Sequence, residues 1–160
     1  MAENEQAQAP QQQFAVQRIY IKDSSFESPM GAAVFGKQWQ PNINVEMNNA
    51  VNKVGEDTYE AVLTFTVTAK LGEETAALIE VQQAGLFLAK GIEGEQLRQA
   101  LSILAPNLLF PYVREAIDSM SVKGGFPAIA LQPVNFEAIY RQQVAQQAAQ
   151  QATPADAEAH

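Results

Sequence analysis

Residues 59–88 read YEAVLTFTVTAKLGEETAALIEVQQAGLFL, and their patterning decides the architecture. Tyr59, Ala61, Leu63, Phe65, Val67 and Ala69 alternate with Glu60, Val62, Thr64, Thr66, Thr68 and Lys70. A period of two is the mark of a half-buried strand. Leu71-Gly72-Glu73-Glu74 supplies a turn in which Gly72 is free to take a positive φ, and a second β-rich run follows it. Ile79, Val81 and Phe87 share one face of that run, and Leu78, Glu80 and Gln82 share the other. The hairpin therefore has one face for a core and one for water.

Working outward, residues 39–51 predict another strand, with Ile43, Val45 and Met47 alternating against Asn42, Asn44, Glu46 and Asn48. Pro41 lacks an N–H and implies an edge or an irregular start. Gly55-Glu56-Asp57-Thr58 reads as the turn into the central hairpin. Residues 14–22 predict a strand with poor alternation. Phe14, Val16, Arg18 and Tyr20 fall on one side, and Ala15, Gln17, Ile19 and Ile21 on the other. A bulge, burial on both faces, or an edge pairing with another subunit would each account for it. Residues 23–38 carry Phe26, Met30, Val34 and Phe35 among serines and glycines, and a connection this long is usually functional or disordered. Its apolar residues argue against disorder and leave two readings, a plug at the edge of the core or a mobile flap with an apolar underside.

Beyond Gly91 the period changes to about 3.6. Residues 93–104 predict a short helix and 107–123 a longer one, with Pro111 in its first turn or at a kink. Gly124-Gly125 reads as its C-cap. Leu108, Phe110 and Tyr112 add apolar surface outside the main stripe, so this helix is covered either by the core alone or also by another subunit. Residues 126–133 form a loop bounded by prolines. Residues 135–147 predict a final helix capped by Asn135, with Phe136, Ile139, Tyr140 and Val144 on one face. The fold class is α+β: a four-stranded antiparallel sheet with helices packed on one face. Residues 1–12 and 148–160 read as flexible tails around a single domain, 13–147.

Composition narrows the function. The 18 acidic and 10 basic residues leave a net charge of −8, which disfavours nucleic acid and anionic lipid and suits a basic partner. There is no cysteine, hence no disulfide and no thiolate metal site. The one histidine is the last residue, His160, which removes imidazole catalysis and histidine metal ligation. The N-terminus lacks the pattern of a signal peptide, and no run approaches the ~18 apolar residues of a membrane span. No phosphate-loop, dinucleotide or hydrolase motif is present. Glu73-Glu74 is a solvated turn, and the glycines of GIEG punctuate a strand-to-helix junction. These features point away from an enzyme and toward a binding protein that needs no cofactor.

Five segments together are more specific: QRIYIKDSSFESP from Gln17, LGEETAALIEVQQAGLF from Leu71, GIEG from Gly91, PNLLFPYVREAI from Pro106 and PVNFEAIY from Pro133. In identity and order they resemble the SecB family of protein-export chaperones. The resemblance implies a cytoplasmic homotetramer built as a dimer of dimers. It also implies ATP-independent holding of unfolded precursor polypeptides and their delivery to the translocase motor SecA. Carried over by position, it puts SecA binding on Asp23, Glu27, Leu78 and Glu80, and a client groove on Phe26, Val34, Phe35, Trp39, Phe136 and Tyr140. It puts the tetramer interface on Ile79, Val81 and Gln83. Ala77 departs from an aromatic found in some relatives, and the acidic C-terminal extension is reduced to Asp156 and Glu158. The competing reading is a structural or scaffolding oligomer that holds no client.

Overall fold

The computed structural model describes residues 11–152, so the first ten residues of the expected N-terminal tail and the last eight of the C-terminal one lie outside it. Four strands, β1 (Gln13–Glu27), β2 (Asn42–Lys53), β3 (Thr58–Leu71) and β4 (Glu74–Lys90), form one sheet in the order β1-β4-β3-β2. Every neighbouring pair is antiparallel. The central hairpin pairs Val67 with Ile79 and Phe65 with Val81, and Gly72 in its turn has φ 62°. The odd-numbered apolar residues of β3 are buried together with Ile79, Val81 and Phe87, as the period of two requires.

β1 is longer than its alternation suggested. Register shifts between Val16 and Arg18 and between Ile21 and Asp23 break the alternation, and the strand then continues to Glu27. Bulges are thus the reason for the mixed pattern, and each re-aims the side chains that follow. Residues 23–38 are accordingly not one long loop, since a 3₁₀ turn at Gly31–Gly36 follows the strand and buries Val34.

The expected break between the two helical segments does not exist. Helix α1 (Gly94–Gln99) runs through a π-helical stretch, Ala100–Leu104, directly into α2 (Ala105–Lys123). In that stretch the Ala105 N–H reaches back to the Ala100 carbonyl. Pro106, which offers no N–H, follows immediately, where a widened turn accommodates the missing bond. Pro111 lies inside the helix rather than in its first turn. Its ring and Asn107, four residues earlier, are both exposed, so water can serve the carbonyl that the proline leaves free.

At the far end Phe126 N–H bonds Ser121 O at 3.0 Å and Gly125 N–H bonds Val122 O at 3.0 Å, with Gly125 at φ 87°. This is a Schellman cap. The segment after it returns along α2, where Ala130 N–H donates to Asp118 Oδ1 at 2.9 Å. Helix α3 (Phe136–Gln151) begins with the Asn135 Oδ1 cap accepting from Ala138 N–H at 3.0 Å, and it runs four residues beyond the expected end at Gln147. The core lies between the sheet and α2, joining Leu63, Phe65, Val67, Ile79, Val81 and Phe87 to Leu109, Val113 and Ile117.

Candidate functional site

At the turn end of the central hairpin, aromatic side chains from three parts of the chain converge on Phe126. Its ring centroid is 4.9 Å from Trp39, 5.7 Å from Phe35 and 6.2 Å from Phe26. Phe26 comes from β1, Phe35 from the 3₁₀ turn and Trp39 from the lead into β2. The Schellman cap positions Phe126 itself. Val34, Ala69, Ala76 and Ala77 form a buried floor of small side chains, with Met30 and Leu71 at the margin. Ala77 contributes the absence of bulk here, leaving the Phe126 ring room to sit down.

Glycine at 124 and 125 is part of the same construction. A Cβ at Gly124 would stand 2.1 Å from the Phe26 ring, and one at Gly125 would stand 2.9 Å from Phe35. The aromatic rings pack directly onto bare backbone. Phe35 remains 61% exposed while stacked on Phe126, so the cluster has an apolar surface open to solvent. Phe126 and Met30 are absent from the set expected from sequence. The signal for Phe126 was present, because an apolar residue two places beyond a helix C-cap commonly packs back against the cap.

Phe136 and Tyr140 do not join that cluster. Phe136 is 3% exposed in the main core, 6.1 Å from the Phe110 ring, and Tyr140 donates from Oη to Glu95 Oε1 at 2.5 Å. Together with Met47, Asn49, Val51 and Ile139 they line a separate cleft of about 250 Å³ between β2 and α3. Asn49 Oδ1 is buried there with no hydrogen-bond partner. The Glu95 carboxyl is held below its ordinary range, first by the Tyr140 hydroxyl and then by Arg98. The six expected groove residues therefore divide into two sites, with Val34 in the floor of the first.

Asp23, Glu27, Leu78 and Glu80 are brought together. Across the β1–β4 pair Glu27 is opposite Leu78, Ser25 opposite Glu80 and Asp23 opposite Gln82. Directly opposed residues share a face, so all four lie on the helix-free side of the sheet. Asp23 and Glu27 are exposed, Leu78 and Glu80 half-buried, and Thr66 Oγ1 donates to Glu80 Oε2 at 3.3 Å. Farther along this face Glu60 accepts from Lys22 Nζ at 2.8 Å and from the Tyr20 hydroxyl. The Lys22 and Tyr20 contacts lower the Glu60 pKa, and the same carboxylate pushes Tyr20 up to about 12.

Ile79, Val81 and Gln83, expected at the tetramer interface, point to the helix side of the sheet. They are 1%, 0% and 3% exposed, enclosed within the chain's own sheet–helix core. Gln83 Nε2 donates to Tyr20 O at 2.9 Å. Exposed apolar residues include Leu104, Leu108, Tyr112 and Val122 on the outer side of the π–α2 helix, Val16 and Ile21 on β1, and Ile43, Val45 and Val51 on β2.

An open aromatic cluster, an acidic strip on the opposite face and an uncovered helix side define a protein-binding module. Among the described residues no group of three or more His, Cys, Asp or Glu could hold a metal ion, and no helix is long and apolar enough to cross a membrane.

A family model described as preprotein translocase subunit SecB matches residues 6–147. The protein-export protein SecB of Hahella chejuensis is 54% identical over 158 residues, covering 98% of this chain and 99% of the relative. That of Marinobacter nauticus is 54% identical over 146 residues, covering 89% and 88%. Among solved structures, the Mycobacterium tuberculosis Rv1957 SecB-like chaperone in complex with a ChAD peptide from the Rv1956 HigA1 antitoxin superposes with a TM-score of 0.62. At 15% identity, covering 76% of this chain and 90% of that one, this likeness shows the fold. The chain belongs to the SecB family and is a protein-export chaperone of that family.

Proposed function

We propose that this chaperone is an ATP-independent holdase that keeps unfolded precursors competent for translocation and delivers them to SecA. The observation that carries the reading is the Phe35–Phe126–Trp39 cluster, whose stacked rings rest on an alanine floor while Phe35 stays open to solvent. Aromatic faces offer contact area without a directional code, which suits clients of unrelated sequence. The second cleft, at Phe136 and Tyr140, extends the surface available to an extended chain.

SecA is received on the strip of Asp23, Glu27, Leu78 and Glu80. Carboxylates steer a basic partner and the aliphatic side chain holds it once docked. The working form is a cytoplasmic homotetramer, a dimer of dimers. Support for assembly comes from the uncovered apolar side of α2 rather than from Ile79, Val81 and Gln83. The reading is tested by offering the chain a reduced, denatured precursor and its folded form, with complex formation followed by light scattering. Capture of the unfolded form alone is expected; equal binding of both would refute client holding.

A further inference from the structure

The segment between α2 and α3 is pinned to α2 at two points. Asp118 and Ser121 stand three residues apart, so they lie on one side of the helix, and each holds a backbone group of the segment. Ser121 Oγ donates to Pro127 O at 2.6 Å, and Asp118 Oδ1 accepts from Ala130 N–H at 2.9 Å. The two points serve different ends. Pro127 directly follows Phe126, on which the aromatic cluster converges. Ala130 directly precedes Leu131, which is buried in the main core with Phe136, the first residue of α3.

Ala130 needs its bond. At φ 53° it is, among the described residues, the only non-glycine in the left-handed region, where its Cβ crowds the following carbonyl and its methyl offers no local hydrogen bond in return. Such a residue persists only where its surroundings over-determine it. The Ala130 side chain is exposed, so the constraint comes from Asp118 on one side and from the burial of Leu131 on the other. Helix α3 depends on this turn in its own placement. Among the described residues Phe136 is its one buried side chain, and Phe136, Ile139 and Tyr140 form its wall of the cleft against β2.

We propose that Asp118 is a positioning residue for client capture: by holding Ala130 in its left-handed turn it fixes where α3 begins, and so keeps the α3 wall of the cleft in place for an extended chain. It acts through the backbone and not by touching the client. Ser121 has the separate task of seating Phe126. When the Asp118 bond is lost the turn relaxes, the exposed Ala130 N–H finds water, and the wall shifts while the aromatic cluster stays as it is. The inference rests on the client-holding reading above and names a residue that shapes one of its two sites.

The test uses the full chain as wild type, Asp118→Asn, Asp118→Ala, Asp118→Ala combined with Ala130→Asn, and Ser121→Ala. Titration with a reduced, denatured precursor gives Kd, and emission from Trp39, the single tryptophan, 4.9 Å from the Phe126 ring, reports on the aromatic cluster. Asp118→Ala is expected to raise Kd at least about threefold, with unchanged Trp39 emission and a melting temperature lowered by no more than about 5 °C. Asp118→Asn keeps the acceptor and should stay within about twofold of wild type. Ala130→Asn should return the Asp118→Ala variant toward wild type, because asparagine visits the left-handed region more readily than alanine. Ser121→Ala should shift Trp39 emission. A role in stability alone would lower the melting temperature and leave the Kd of the folded protein unchanged. Wild-type capture by Asp118→Ala, no recovery on adding Ala130→Asn, or a Trp39 shift in Asp118→Ala as large as in Ser121→Ala would each overturn the assignment while leaving client holding intact. Equal binding of folded and denatured precursor by the wild type would overturn client holding and the assignment together.

Discussion

Glu27 stands directly opposite Leu78 across the β1–β4 pair, with Asp23 and Glu80 on the same face of the sheet. The bulges that disturb β1 make this possible, because the shift between Ile21 and Asp23 sets which face the residues after it occupy. A half-buried leucine thereby sits among carboxylates drawn from two strands.

Glu80→Lys should lower SecA affinity at least about tenfold, by putting a cation where a basic partner docks. Glu80 is on the helix-free face, so assembly and client holding should be unaffected. Wild-type binding should itself weaken with added salt, since exposed charges are screened over ~10 Å at 0.1 M. Surface plasmon resonance across a salt series checks both, and unchanged SecA binding by the variant would remove this face from the docking site.

Val81→Asp should unfold the protomer rather than release intact subunits. Val81 of β4 is completely buried in the core between the sheet and α2, and an unpaired carboxylate there costs on the order of 3–5 kcal/mol. A large drop in melting temperature should therefore accompany any loss of assembly. Folded monomers or dimers of wild-type stability would contradict the placement.

Phe35→Ala and Phe136→Ala should separate client binding from stability. Phe35 is largely exposed, so its truncation should change stability by no more than about 0.5 kcal/mol while weakening capture of a denatured client. Phe136 belongs to the core, and its truncation should cost about 3–5 kcal/mol. Urea titration alongside client capture distinguishes the two, and undiminished capture by Phe35→Ala would move the binding surface elsewhere.

Gly124→Ala should disturb the aromatic cluster from beneath. At φ −74° the backbone accepts alanine, so the cost comes from a methyl placed 2.1 Å from the Phe26 ring, about 1–3 kcal/mol by overpacking. A lower melting temperature and altered Trp39 fluorescence are expected; no change in either would mean that Phe26 yields freely.

The Glu60 contacts give stability a dependence on pH at both extremes. The folded Glu60 pKa lies below its ordinary value of 4.5, so its contribution is present above about pH 4.5 and is lost as pH falls through the folded value. Tyr20 is shifted the other way, from 10.0 to about 12, so its contribution is full below pH 10.0 and is lost as pH rises toward 12. Glu60→Gln should flatten both limbs in urea midpoints measured across pH, and unchanged limbs would show that the contact is not formed in solution.

The sequence by itself determined the central hairpin, its turn at Gly72, the polarity of its two faces, the C-cap at Gly124-Gly125 and the N-cap at Asn135. Each depends on residues within a few positions of one another, where periodicity and capping chemistry act directly. Tertiary structure decided the rest. Pro106 looks like a helix break until the π-helical turn before it absorbs the missing bond, and β1 looks short until its bulges are seen. Phe26, Phe35, Trp39 and Phe126 are separated by up to 100 residues, and they meet only because α2 ends over the turn end of the sheet. For the same reason Ile79 and Val81 became the protomer's own core: parity tells which way a strand residue points, but the packing of α2 decides whether that side meets another chain or is already closed.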